Sequence, residues 1–222
     1  MRRWRGPGAA GNPRLTYPQF TRTRWGGQGN SSSIRGVIGR LGDLWLDTPL
    51  AFWLVLAACL YFAVMAVRLT VIDVRHHLLP NRIVFPSYGV AGVLLLAAVA
   101  TVLVAGADAA AVPDGGARLF GLPGGRVLAG GAVLWLFYFV LRLVYPPGMG
   151  FGDVKLAGVL GMYLGYLGWG HVFAGTFAAF LLGGLWSLGL LATRRGSLKS
   201  AIPFGPFMLA GTAAVMLLLP AA

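Results

Sequence analysis

Long apolar stretches follow one another through most of this sequence and restrict it to a membrane fold. A helix needs roughly 20 apolar residues to cross the hydrocarbon core of a bilayer. The candidate spans are 49–67, 83–105, 126–145, 154–169, 171–192 and 202–219. The chain is 57% hydrophobic and only 11% charged, whereas soluble domains are about a quarter charged. The sequence therefore predicts an all-α polytopic membrane protein with about six transmembrane helices, formed by residues 49–222.

The segment that precedes the first span has a different composition. Residues 1–48 are rich in Gly, Arg, Ser and Pro and carry eight of the 18 basic residues. Such a segment cannot bury enough apolar surface to fold. We therefore expect a flexible, basic Gly/Arg-rich tail that is disordered or lies on the membrane surface.

The composition also restricts cofactors and partners. Cys59 is the single cysteine, so the chain offers neither a disulfide framework nor a CxxC pair. The histidines His76, His77 and His171 lack metal-ligand spacing, and we predict no metal and no cofactor. The net charge of +12 is scattered over the tail and short loops. This pattern favours the lipid bilayer, with its anionic headgroups, over nucleic acid as the partner.

Loop charges predict the orientation of the spans. Loops two and four carry only Arg118 and Arg126. The other three loops carry eight basic residues: Arg68, Arg75, Arg82, Arg142, Lys155, Arg194, Arg195 and Lys199. The odd loops should therefore be cytoplasmic, although the eight arginines of the tail argue for the opposite orientation. In either orientation, Asp73 and Asp153 face the same side of the membrane.

These two aspartates are the candidate catalytic residues. Asp73 ends the first span in "RLTVIDVRHHLLPNRIVFP", and Asp153 begins the fourth in "PPGMGFGDVKLAGVLG". A carboxylate near the bilayer is costly enough to require a reason. Two close carboxyl groups do not both ionise easily, so one keeps its proton. Such a pair can deprotonate a water while donating a hydrogen bond to a peptide carbonyl, which is aspartic-protease chemistry.

Other roles for the two aspartates are compatible with the sequence. Asp153 could cap its helix, and Asp73 could pair with Arg75 or Arg68. A transporter or channel component would use the same two carboxylates as proton or cation sites. However, both lie at span ends, and no internal repeat is visible. A structural membrane subunit of a larger assembly would not require both residues.

Glycine and proline surround the second aspartate. Gly148, Gly150 and Gly152 give the backbone conformational freedom and allow a substrate strand to approach closely. Pro146 and Pro147 end the third span before this loop. We expect a movable linker that brings the second aspartate to the first.

Small residues recur every four positions in spans four and five. Such spacing allows membrane helices to approach closely. We therefore expect these two spans to form a tight hairpin through one set of residues: Ala157, Gly161, Gly165, Gly175, Ala179 and Gly183.

Three motifs together resemble one family. "GMGFGDVKLAGVLG" resembles the G-x-G-D-x-K-L segment of the prepilin peptidases, the type IV leader peptidase family of membrane aspartic proteases. "DVRHHLLPNRI" is similar to the family's first aspartate segment, in which Pro-Asn follows the Asp by some seven residues. "IPFGPFMLAG" is similar to its Pro-Phe-Gly-Pro-Phe signature. The motifs occur in the family's order, and the resemblance covers about residues 50–219.

The resemblance implies a function and assigns roles to residues. It implies that Asp73 and Asp153 are catalytic and that the enzyme cuts the short basic leader of type IV pilin-like precursors. The site would lie at the cytoplasmic face of the inner, or cytoplasmic, membrane. It also implies residues that bind substrate or shape the site: Gly150, Gly152, Lys155, Pro80, Asn81, Pro203, Gly205 and Pro206. Nothing in the sequence specifies an oligomeric state.

The sequence departs from many family members in one respect. Those members carry an N-terminal region with paired CxxC motifs, which is linked to N-methylation of the new pilin terminus. With Cys59 as its single cysteine, this chain resembles the short form, and methyltransferase activity is not expected. The presenilin group shares G-x-G-D but adds a Pro-Ala-Leu motif that is absent here, so we rank that group well below.

Overall fold

The computed structural model describes residues 37–76, 80–105, 123–193 and 203–220, and within these ranges the chain is helical and has no strand. Seven α-helices and one 3₁₀ turn, at Pro146–Gly148, follow in order. The α-helices are α1 Val37–Asp47, α2 Pro49–His76, α3 Asn81–Val104, α4 Pro123–Val144, α5 Phe151–Leu167, α6 Trp169–Ala192 and α7 Gly205–Leu218.

Four of these helices are long and apolar enough to cross a membrane, namely α2, α3, α4 and α6. The predicted fourth and sixth spans correspond to shorter helices, because α5 has 17 residues and α7 has 14. At 1.5 Å per residue α5 is about 26 Å long, somewhat less than the hydrocarbon thickness of about 30 Å. The prediction of an all-α polytopic membrane protein is confirmed.

Two features of the fold differ in extent from the sequence prediction. Helix α2 continues nine residues past the predicted span end at residue 67, to His76. Helix α1 lies within the segment that was assigned to the tail from its Gly- and Arg-rich composition, although residues 37–47 are amphipathic at helical spacing. The remainder of that tail, up to residue 36, lies outside the described residues. The same holds for loop residues Arg118, Arg194, Arg195 and Lys199.

Helix α5 occupies the centre of the bundle, and every residue from Leu156 to Leu167 is buried. Its most extensive contact is with α4, where glycines bring the two backbones together. A Cβ atom added to Gly161 would lie 2.8 Å from the carbonyl carbon of Gly130. A Cβ atom added to Gly165 would collide with the carbonyl oxygen of Arg126. Small residues of this kind permit the closest approach that membrane helices make.

The predicted hairpin of α5 and α6 has the expected tight turn, but its small residues pack only in part as predicted. The two helices are joined by Gly168 alone, whose φ of 132° favours glycine. Gly175 of α6 lies against the side chain of Leu164 of α5, as a hairpin requires, whereas four of the other small residues face different helices. Gly161 of α5 faces α4, whereas Ala179 of α6 contacts Gly211 of α7 and Gly183 lies against aromatic side chains at the start of α7. The four-residue spacing identifies a packing face, but it does not specify which neighbouring helix the face contacts.

The glycine contact between α4 and α5 leads to a prediction about the stability of the protein. In Gly161→Ala the new methyl group meets the backbone of α4, which cannot move aside as a side chain can. We expect the free energy of unfolding to fall by about 1–3 kcal/mol, the usual cost of overpacking, as measured by denaturation in mixed micelles. Gly184→Ala is the matched control, because a Cβ there meets nothing within 4 Å. Equal effects of the two substitutions would contradict the packing argument.

Candidate active site

The two predicted catalytic aspartates are both buried and lie at the same end of the bundle. Asp73 lies three residues before the end of α2 and is 4% exposed. Asp153 lies in the first turn of α5 and is 6% exposed. We call this the site end of the bundle. It comprises the end of α2, α4 and α6 and the start of α3, α5 and α7.

The length of α2 indicates the depth of the site relative to the membrane. The 25 residues from Pro49 to Asp73 span about 36 Å of helix, more than the roughly 30 Å of hydrocarbon. A helix that enters the hydrocarbon near Pro49 therefore leaves it before Asp73. In α5, Asp153 lies in the first turn, before the buried run Leu156–Leu167. We therefore expect both carboxyl groups to lie near the boundary of the hydrocarbon.

The two carboxyl groups are close enough to influence each other's ionisation. Burial raises the pKa of Asp153 to about 7, and the negative charge of Asp73 contributes to the increase. A hydrogen bond from the backbone N–H of Gly150 and the positive charge of Arg142 act in the opposite direction. The increase prevails, because desolvation and a like charge both disfavour the carboxylate. The carboxyl group of Asp153 therefore titrates close to neutral pH, where an ordinary aspartate is fully ionised.

The helix-cap alternative for Asp153 agrees in part with the structure, because Asp153 is not the N-cap residue but lies in the first turn of α5 and makes a capping contact. Gly150 occupies the N-cap position of α5, in an extended conformation, and Asp153 is the third helical residue. Its carboxyl group accepts the Gly150 N–H, as an acidic residue at this position does in a capping box. This contact orients the carboxyl group towards the loop.

The loop between α4 and α5 contains two glycines that differ in their steric requirement. A Cβ atom at Gly148 would collide with the ring of Tyr145, so a side chain here would require that exposed ring to move. A Cβ atom at Gly150 would lie 3.4 Å from Oδ2 of Asp153, an ordinary van der Waals contact. The described part of the chain therefore leaves space beside Gly150, next to the carboxyl group. Gly152, half-buried, lies in the first turn of α5.

Arg142 is a site residue that the sequence analysis counted only as a loop charge. Its Nη1 donates a hydrogen bond to the carbonyl oxygen of Met149 at 2.5 Å, and its Cζ lies 5.4 Å from the centre of the Phe151 ring. Arg142 thus connects the end of α4 to the loop that carries Asp153. Its only sequence signal was a cation in the last turn of a helix, a position that the helix dipole favours in any protein.

Lys155 connects the start of α5 to the start of α3. Its Nζ donates a hydrogen bond to Oδ1 of Asn81 at 3.0 Å. The same Nζ lies 4.8 Å from the ring centres of Phe85 and Phe151, where the ring quadrupoles attract a cation. Pro80 provides the extended N-cap residue of α3, directly before Asn81. The predicted Pro-Asn and G-x-G-D-x-K segments are therefore in direct contact.

The third predicted motif lies close to the aspartates but does not reach them directly. Pro203 is half-buried, and Gly205 and Pro206 begin α7. Phe204 lies between Pro203 and Gly205 in the sequence, and the centre of its ring is 6.2 Å from the centre of the Tyr138 ring. The charge of Asp153 acts in turn on Tyr138. The motif therefore approaches the site through an aromatic side chain of α4.

Two further residues of the sequence analysis cannot be placed at the site. The side chain of His76, and all of His77, lie outside the described residues. Within the described ranges, no group of three or more His, Cys, Asp or Glu side chains is arranged to hold a metal ion.

Comparison with known proteins identifies a family for most of this region. The model of the type IV leader peptidase family matches residues 59–188, which include both aspartates. A prepilin leader peptidase/N-methyltransferase of Aeromonas salmonicida is 33% identical over 166 residues, covering 70% of this chain and 47% of the relative. The Pseudomonas putida protein of the same name is 38% identical over 85 residues, covering 37% of this chain and 28% of the relative.

The chain spans about half the length of the Aeromonas relative that it matches. No solved structure shows a significant match. The family model covers more than half of the chain, and the Aeromonas similarity extends over more than two thirds of it. On this basis the chain belongs to the type IV leader peptidase family.

Proposed function

We propose that this chain is a membrane aspartic endopeptidase that removes the leader of type IV pilin-like precursors, with Asp73 and Asp153 as its catalytic pair. The observation that carries the proposal is the presence of two buried, mutually interacting carboxyl groups at one end of a membrane bundle. The printed names of the relatives support the substrate class. The methyl-transfer part of those names is not included in the proposal.

The proposed mechanism needs a single proton on the pair. The ionised carboxylate accepts a proton from a water as the water oxygen attacks the scissile carbonyl carbon. The protonated carboxyl group donates its proton to the carbonyl oxygen, which gives a neutral tetrahedral diol. Collapse of the diol transfers a proton to the leaving nitrogen, breaks the C–N bond and leaves the pair with one proton again.

The depth of the pair suits a cut beside an apolar helix. Both carboxyl groups are expected near the boundary of the hydrocarbon, by the helix-length argument above. A substrate helix in the same bilayer would present its aqueous end at this depth. The space beside Gly150 would admit an extended strand to the pair. The loop charges favour the cytoplasmic face for the site.

Contacts around the pair would hold it in working geometry. Lys155 with Asn81 fixes α5 against α3, while Arg142 fixes the loop before Asp153. Both cations contact groups of the protein itself, and we assign both to positioning. Preorganised supports of this kind reduce the movement that the reaction requires.

The catalytic pair is tested by removing each charge in turn. Asp73→Asn and Asp153→Asn should each lower cleavage of a co-expressed pilin-like precursor by at least about a hundredfold, because each removes one partner of the proton exchange. The size of the pilin band measures cleavage. Asp47→Asn is the matched control, since Asp47 is exposed and lies at the other end of α2. A variant at residue 73 or 153 that cleaves fully would exclude that residue from the pair.

The pH dependence follows from the elevated pKa of Asp153. The carboxyl group is protonated below about pH 7 and loses its proton as the pH rises through that value. Above it both members of the pair are ionised, and no proton is available for the carbonyl oxygen. We expect the cleavage rate of the purified protein in vesicles to fall by about tenfold per pH unit on the alkaline side. A rate that is constant up to pH 9 would contradict the shared proton.

Arg142 provides a second test of the electrostatic interaction with Asp153, because removing its charge should shift the pH dependence in a defined direction. Its positive charge lowers the pKa of Asp153, so Arg142→Gln should shift the alkaline decline in rate to higher pH. Arg142→Lys keeps the charge and should leave the decline near its original position, even if loss of the contact with Met149 slows cleavage at every pH. A shift to lower pH in Arg142→Gln would show that Arg142 does not act on the pair through its charge.

A further inference from the structure

Helix α1 packs against the bundle through only one of its faces. Val37 and Leu44 are buried, and Leu41 is partly buried against the hydrophobic core. At 100° per residue these three side chains share a narrow sector. This sector makes the contact that a short amphipathic helix on a protein surface normally makes.

A second apolar sector of α1 is largely uncovered in the described part of the chain. Ile38 and Trp45 are each 54% exposed, and Leu46 is 82% exposed. Ile38 and Trp45 lie next to the buried sector, and Leu46 lies on the side of the helix opposite to it. The remaining sector contains Arg40 and Asp47. The helix thus has three faces: one packed against protein, one exposed and apolar, and one polar.

The exposed apolar sector is continuous with the lipid-facing side of the first span. The ring of Trp45 lies edge-on to the rings of Phe52 and Trp53, at 5.0 Å and 6.4 Å between centres. Leu50 and Trp53 are exposed on α2, which is long and apolar enough to cross the membrane. The same lipid that covers these α2 side chains can therefore cover Trp45. Clusters of Trp at a span end are typical of the membrane interface.

We propose that α1 is an interfacial helix whose Ile38, Trp45 and Leu46 insert into the bilayer surface at the end of α2 opposite Asp73. The partner of this surface is the lipid of the headgroup–acyl boundary, with the Arg40 side of the helix in water. The inference does not depend on the proposed peptidase activity.

The anchor also determines where Asp73 lies relative to the bilayer. Helix α2 has 28 residues and is about 42 Å long, so it exceeds the hydrocarbon by about 12 Å. An unanchored helix can distribute this excess over both ends by sliding or tilting. With α1 held at one surface, the excess emerges at the other end, where Asp73 lies.

Nitroxide accessibility in vesicles tests the lipid contact. The chain has one cysteine, so single cysteines at positions 38, 46, 40 and 47 can be introduced into the full chain carrying Cys59→Ala. Labels at 38 and 46 should collide several-fold more with oxygen, which partitions into lipid, than with a water-soluble nickel complex. Labels at 40 and 47 should show the reverse. If the labels at 38 and 46 are shielded from both reagents, protein covers these positions and the proposal is wrong. If the nickel complex reaches these labels freely, they lie in water and the proposal is also wrong.

A second measurement tests the effect of the anchor on depth. A label at Val74, which is exposed beside Asp73, should lose nickel accessibility when Ile38, Trp45 and Leu46 are all changed to Ser. Arg40→Gln is the control and should leave the accessibility of that label unchanged. If the triple variant leaves it unchanged as well, α1 does not determine the depth of α2.

Discussion

The close contact of α4 with α5 is the interaction on which the other features of the structure depend. Gly130 faces Gly161 with no side chain between the two backbones. This contact lets α5 lie at the centre of the bundle, with the long helices around it. Because α4 also supplies Arg142, the same helix that packs along α5 fastens the loop before Asp153. Packing in the membrane and geometry at the site are therefore carried by one pair of helices.

The sequence predicted the type of fold and the location of the two aspartates for simple physical reasons. Apolar runs identify membrane helices because the bilayer imposes their length. Asp73 ends the first span and Asp153 begins the fourth, so the chain crosses the membrane twice between them. The two residues therefore had to lie on the same side of the membrane. The sequence did not specify that the two carboxyl groups approach closely enough to influence each other's ionisation. That proximity depends on how the helices pack.

The features that the sequence did not predict depend on contacts between distant segments. The role of Arg142 follows from a backbone carbonyl seven residues later and from the ring of Phe151, and neither contact leaves a pattern in the composition. Most packing partners of the small residues in α5 and α6 were assigned wrongly for the same reason. Helix α1 was missed because the segment was assigned from its Gly and Arg content, although Val37, Leu41 and Leu44 recur at helical spacing within it.

The central position of α5 has a consequence for the response of the molecule to its membrane. A 17-residue helix enclosed by protein has no direct contact with lipid along its buried length, so its own shortness incurs no hydrophobic mismatch. A change in bilayer thickness would be expected to tilt the outer helices rather than α5. Asp73 is carried by one of these outer helices, and Asp153 is carried by α5. We therefore expect bilayer thickness to influence the separation of the two carboxyl groups.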